Sequence, residues 1–106
     1  MQNIVNQISK SLEIRKDLLE SVNNEEALLL LLTEYIQELI NKNFEHLLWL
    51  LYRVDVGEKK VKQAIENTEP ENVANTIAKM ILEREKEKIA TREKYSTGSS
   101  GDDWIF

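Results

Sequence analysis

Few residues of this chain could carry chemistry. His46 is the only histidine, and an imidazole can act as a general base or a metal ligand near neutral pH. Glu45 precedes it directly, and Glu34 and Glu38 lie one helical turn apart on the segment before. Together these side chains could form a small metal-binding or enzymatic site in a helical bundle. Such sites are usually marked by Glu-x-x-His repeats, which this sequence lacks, so this function is the alternative hypothesis.

Other motifs with chemical function are missing from the sequence. The chain has no cysteine, which excludes disulfides, thiolate metal sites and a cysteine nucleophile. Its three glycines, Gly57, Gly98 and Gly101, form no glycine-rich phosphate loop. The main hypothesis is therefore a non-enzymatic protein with no catalytic residue, no bound metal and no cofactor.

The charge of the chain argues against nucleic acid as a partner. Its formal net charge of −5 has the wrong sign for neutralising phosphates. Residues 58–82 could form a helix-turn-helix, but the second helix would begin at Pro70 and Glu71 and offer no basic side chain before Lys79. A nucleic-acid regulator is thus a third, weaker hypothesis, and it would use Lys59, Lys60, Lys62 and Lys79.

The sequence contains two apolar runs, residues 27–32 and 47–52, and both are too short to cross a membrane. Each has about six residues, whereas a spanning helix needs about twenty. Residues 1–5 also show no basic segment leading into an apolar stretch, so we expect no secretory signal. The sequence predicts a cytoplasmic protein without membrane contact.

The C-terminal residues, 101–106, are hard to explain as part of the hydrophobic core. Residues 96–101 have the composition of a flexible linker, and large apolar side chains beyond such a linker gain nothing from exposure to water. The pattern predicts a docking peptide in which the apolar side chains fill a pocket and basic residues hold the acids and the terminal carboxylate. The predicted partner-binding residues are Asp102, Asp103, Trp104, Ile105 and Phe106.

This acidic–aromatic tip resembles the tail tip of bacterial single-stranded-DNA-binding proteins, which also ends in aspartates, two or three apolar residues and a terminal Phe. The resemblance covers about five residues, lacks the penultimate proline of that pattern and implies a similar mode of docking. Two other interpretations stay open. The segment could fold back on its own domain or on a sister subunit, or it could include residues left from cloning.

Composition predicts an all-α fold. Apolar residues make up 42% of the chain and charged residues 31%, which is ordinary globular usage. With three glycines and one proline, the chain has too little turn chemistry for an all-β fold. We expect a small bundle of four to five helices in residues 1–95, followed by a flexible linker and tail in residues 96–106.

Apolar spacing and capping residues predict the helices. The first covers residues 3–22, with Val5, Ile8, Leu12, Leu19 and Val22 on one stripe. Asn24 caps the second, residues 25–41, and the third covers residues 44–54, joined to it by a kink or a short loop. A turn at Asp55 and Gly57 precedes residues 58–67, with Val61, Ala64 and Ile65 facing inward. Pro70 then begins the last helix, residues 70–94, whose charged second half is interpreted as a solvated end.

The apolar residues near Trp49 predict self-association. This stretch is apolar nearly all round, so it must be enclosed by other helices or meet a second subunit. We expect Leu31, Leu32, Ile36, Leu48 and Ile77 inside the bundle. The expected homodimer interface is formed by Trp49, Leu50 and His46, and an interface through the last helix is the alternative. The resulting hypothesis is a helical homo-oligomer that presents its C-terminal peptide to another protein of unknown identity.

Overall fold

The computed structural model describes residues 2–98, with the side chains of residues 2–94. Its five α-helices are α1 (Gln2–Leu12), α2 (Glu25–Lys42), α3 (Phe44–Val54), α4 (Glu58–Asn67) and α5 (Val73–Gly98). Two short 3₁₀ helices, Lys16–Leu19 and Pro70–Asn72, precede α2 and α5. No strand is present in this part of the chain, which confirms the predicted all-α bundle. None of its helices combines the length and the apolarity needed to cross a membrane.

The bundle is built around helices α2 and α5, which make the most extensive contact with each other. Helix α1 packs on α5 and α3, and α4 packs on α5. Their apolar faces meet in one core, to which α2 contributes Leu28, Leu32 and Ile36 and α5 contributes Ala74, Ile77, Ala78, Ile81 and Leu82. Of the predicted core residues, Leu32, Ile36 and Ile77 are buried, and Leu31 is partly buried.

The prediction that Leu48 lies in the core is wrong, because 49% of its surface is exposed. Ile65 is also 42% exposed, although Val61 of the same helix is buried as expected. The error at Leu48 occurs on a helix whose apolar residues extend beyond one face.

The prediction of a continuous first helix over residues 3–22 is wrong in its second half. Helix α1 ends at Leu12 because Glu13 adopts a left-handed conformation with φ of 57°. The N–H of Ile14 donates to the carbonyl oxygen of Ser9 (3.2 Å), which is the hydrogen bond of a Schellman motif. Ile14 and Leu19 are nevertheless buried, since the chain after α1 turns back over the core.

The connection between α2 and α3, which the sequence left as a kink or a loop, is a corner at the single residue Asn43. Its N–H donates to the carbonyl oxygen of Leu39 (2.8 Å) and thereby closes α2. Its side-chain oxygen accepts from the N–H of His46 (3.2 Å) and caps α3. One residue thus ends one helix and begins the next.

The remaining boundaries follow the expected signals. The side chain of Asn24 accepts a hydrogen bond from the N–H of Ala27 (2.8 Å) at the start of α2. Pro70 begins a 3₁₀ turn that leads directly into α5. That helix continues to Gly98, four residues beyond its predicted end, so it includes part of the segment that was expected to be a linker.

Candidate interaction surface on α3

Helix α3 has apolar residues on both of its sides. One stripe, with helical spacing, is buried in the core and comprises Leu47, Leu50, Leu51 and Val54. The opposite stripe is exposed to a large extent, at Phe44 (46%), Leu48 (49%), Trp49 (43%) and Tyr52 (86%). Because Phe44, Leu48 and Tyr52 follow one another at intervals of four residues, they line one side of the helix. We call these four exposed residues the α3 face.

Trp49 is held in a defined position at the edge of the α3 face. Its ring stacks on that of His46, with centroids 5.4 Å apart and an angle of 17° between the planes. The guanidinium carbon of Arg53 lies 5.2 Å from the ring centroid, in the range of a cation–π interaction. Arg53 also donates to the carbonyl oxygen of Lys10 (3.5 Å) and lies 3.8 Å from Glu13. The indole is therefore fixed while nearly half of its surface stays open.

The two ends of α3 fix which stripe faces outward. Asn43 caps its first turn. At its end Asp55 adopts a left-handed conformation with φ of 67°, and the N–H of Val56 donates to the carbonyl oxygen of Leu51 (3.2 Å). This is again a Schellman motif, and Asp tolerates the left-handed region better than most residues. With both ends anchored, Leu50 and Val54 point into the core and Tyr52 points away from it.

The structure separates the three residues of the predicted dimer interface. Leu50 is fully buried, so its assignment to an interface is wrong: it packs inside its own chain. Trp49 is exposed and belongs to the α3 face, and His46 is partly exposed and lies beside that face. Sequence reasoning missed Phe44, Leu48 and Tyr52 as exposed residues of that face.

The acidic residues of the alternative hypothesis do not gather into a metal site in the described part of the chain. Glu34, Glu38 and Glu45 are exposed. Within residues 2–98, no three acidic or histidine side chains gather closely enough to hold a metal ion. The predicted docking residues Asp102, Asp103, Trp104, Ile105 and Phe106 lie outside the described residues, so the role of that segment stays a prediction.

A buried carboxylate on α5 was not foreseen. Glu85, in the stretch interpreted as solvated, has no exposed surface. Its Oε1 accepts from Gln7 Nε2 (2.6 Å) and from Ser11 Oγ (2.9 Å), and its Oε2 accepts from Lys88 Nζ (3.2 Å). Both of its oxygens are therefore satisfied, as a buried charge requires. With no second acid beside it, the group acts as a polar tie between α1 and α5.

The exposed charges of α5 link it to neighbouring elements. Lys86 Nζ lies 3.1 Å from Glu25 Oε1 at the start of α2, and this hydrogen bond raises the pKa of Lys86. On α2, burial of the ring and the charge of Glu13 raise the pKa of Tyr35.

Comparison with known proteins adds no constraint. No family model, no curated protein and no solved structure matches the chain.

Proposed function

We propose that this chain is a non-enzymatic protein–protein interaction module that pairs with a second copy of itself through the α3 face. The observation that carries the proposal is the double-sided apolar character of α3. Its buried stripe completes the core, while Phe44, Leu48, Trp49 and Tyr52 remain open. Exposed apolar groups gathered on one side of a helix mark an interaction surface, whereas single exposed ones do not.

The charges that flank the α3 face favour a second copy as its partner. Glu45 lies at one end of the helix and Arg53 at the other, and both are exposed. In a two-fold antiparallel pair of helices, the beginning of each lies beside the end of its mate. Each copy would then place its Glu45 near Arg53 of the partner subunit, which gives two ion pairs per dimer. The aromatic and leucine side chains of the α3 face would lie between these two pairs. An interface of this kind has an apolar core and a charged rim, as specific interfaces do.

The oligomeric state tests this proposal. We expect sedimentation of the purified chain at tens of micromolar, on the order of common assembly affinities, to give twice the mass of 12.4 kDa. Leu48→Glu places a charge in the α3 face and is expected to yield the monomer. The matched control is Leu30→Glu, at a leucine of α2 that is 61% exposed, and it should leave the dimer intact.

Two results would refute pairing through α3. One is a wild-type chain that sediments as a monomer throughout this range. The other is equal dissociation by Leu30→Glu and Leu48→Glu, which would show that added charge alone, and not the α3 face, decides the assembly. Circular dichroism of each variant verifies that the helices are retained.

The module as proposed also carries a docking peptide at residues 102–106, directed at another protein surface. Support for this part comes from the residue types alone. A cytoplasmic location is compatible with the absence of cysteine from the chain.

A further inference from the structure

A cleft of about 440 Å³ separates the turn after α3 from helix α5. Val56 and Met80, both partly buried against the core, contribute apolar surface to it. Arg84 joins its two walls: Nε donates to the carbonyl oxygen of Asp55 (3.1 Å), and the guanidinium lies 3.3 Å from the Asp55 carboxylate. The cleft is therefore preformed by contacts between residues of the fold.

The residues that line the cleft include three acids and three bases, and two of the bases are lysines without a partner among the described residues. Lys60 and Lys79 line it, and neither makes an ion pair or a hydrogen bond with the rest of the described chain. The acids that line the cleft are already engaged with Arg84 or Lys86 at 3.3–3.7 Å. These engaged acids are Asp55, Glu83 and Glu87. An occupant that places negative groups beside Lys60 and Lys79 and apolar groups beside Val56 and Met80 would fit this lining.

The chain itself contains a segment with this chemistry. We propose that residues 102–106 of one copy bind in this cleft of a second copy. Asp102 and Asp103 would lie against Lys60 and Lys79, and the apolar side chains that follow would cover the cleft's apolar surface. The inference assigns a second copy of the chain, in place of an unidentified protein, as the partner of the proposed docking peptide, and this contact needs no pairing through α3.

Distance favours the cleft of a second copy over that of the same chain. Helix α5 ends at Gly98, and the five residues from there to Asp103 reach at most about 17 Å. Lys79 lies nineteen residues before Gly98, about 28 Å back along the helix. A segment folding back along its own α5 would bring Asp103 only to the level of Glu87, eight residues short of Lys79. The segment of a second copy is not tied to the end of this α5 and can enter the cleft from its other end.

Cross-linking tests the proposal in the full chain, which has no natural cysteine. One variant carries Glu83→Cys in the cleft, and another carries Gly101→Cys beside the acids. Mixed under mild oxidation, they are expected to form a disulfide between the two different variants, identified by peptide mass spectrometry. The control replaces Glu83→Cys by Lys62→Cys, at an exposed residue of α4 that does not line the cleft.

Each result decides the matter. A higher yield of the 83–101 link than of the 62–101 link supports binding of the segment in the cleft. Equal yields overturn it and leave the segment available for another protein. In a chain carrying both Glu83→Cys and Gly101→Cys, a link formed within one chain overturns the exchange between copies. The readout is the position of the link, so failure of α3 pairing and failure of tail docking are distinguishable.

Charge reversal provides a second, independent readout. Lys60→Glu with Lys79→Glu is expected to lower the 83–101 link to the level of the control. Adding Asp102→Lys and Asp103→Lys to the partner variant should restore it, because the two signs are then exchanged together. Loss without restoration, in variants whose helicity is unchanged, overturns the pairing of these acids with these lysines.

Discussion

The side-chain amide of Gln7 donates a 2.6 Å hydrogen bond to the buried carboxylate of Glu85, which is 78 residues away in the sequence. Gln7 also accepts a hydrogen bond from Arg92 (3.2 Å). The carboxylate, Gln7, Ser11 and Lys88 thus form one polar cluster where α1 meets α5. Because Glu85 is the only buried charged residue in the described part of the chain, pairing it with Gln7 and Ser11 favours one register of α1 on α5.

Truncating the carboxylate should destabilise the fold. Glu85→Ala leaves the donors of Gln7 and Ser11 without their acceptor and opens a void, and we expect it to lower the free energy of unfolding by about 2–4 kcal/mol. Urea denaturation measures the change. Glu83→Ala, at an exposed acid two residues away, is the control and should shift stability by no more than about 0.5 kcal/mol. Similar losses in both variants would contradict a special role for Glu85.

Glu13 offers a stabilising substitution. Its φ of 57° is costly for a residue with a side chain but free of strain for glycine. We expect Glu13→Gly to raise the free energy of unfolding by about 0.5–1 kcal/mol, since its ion contact with Arg53 is exposed and weak. Lys10→Gly, inside α1, should instead lower it by about 1 kcal/mol. A loss of stability from Glu13→Gly would show that the left-handed conformation carries no strain.

Short-range signals explain which parts of the fold could be predicted. Asn24, Pro70 and the turn at Asp55 act through neighbouring backbone groups, so their effects follow from sequence alone. The end of α1 could not be predicted in this way, because the residue in the left-handed position is Glu13 and not a glycine or asparagine. Leu19 also continues the apolar spacing of α1 across that break, since the turn brings it back to the same core.

The candidate surface was harder to predict for a different reason. In a helix that is apolar on both sides, spacing alone allows either stripe to face inward, and only packing selects one. That choice placed Leu50 inside and Leu48 outside, the reverse of the prediction. Glu85 could not be distinguished from the exposed acids around it, because the groups that satisfy it come from Gln7 and Ser11 on a helix distant in sequence.

The capping role of Asn43 between α2 and α3 leads to a prediction about stability. Its side chain caps α3 through the N–H of His46, and caps of this type contribute about 1 kcal/mol. Asn43→Ala should therefore lower the free energy of unfolding by about 1 kcal/mol in urea denaturation. Asn41→Ala, two residues earlier and exposed at the end of α2, is the control and should have little effect. Equal stability of the two variants would argue against the cap.

The raised pKa of Tyr35 predicts how stability changes at high pH. Burial of the ring, together with the charge of Glu13, raises this pKa above its ordinary value of 10.0, so the fold favours the neutral phenol. The stabilisation is complete below pH 10 and is lost as the pH rises through the folded-state value. We therefore expect the free energy of unfolding above pH 10 to fall more steeply in the wild type than in Tyr35→Phe, which has no phenol at that position. Urea denaturation at a series of alkaline pH values measures both slopes, and the difference in phenolate absorbance between the two proteins follows Tyr35 itself. Parallel slopes, or a phenolate that forms at the ordinary pKa, would show that the ring is as well solvated in the fold as in the unfolded chain.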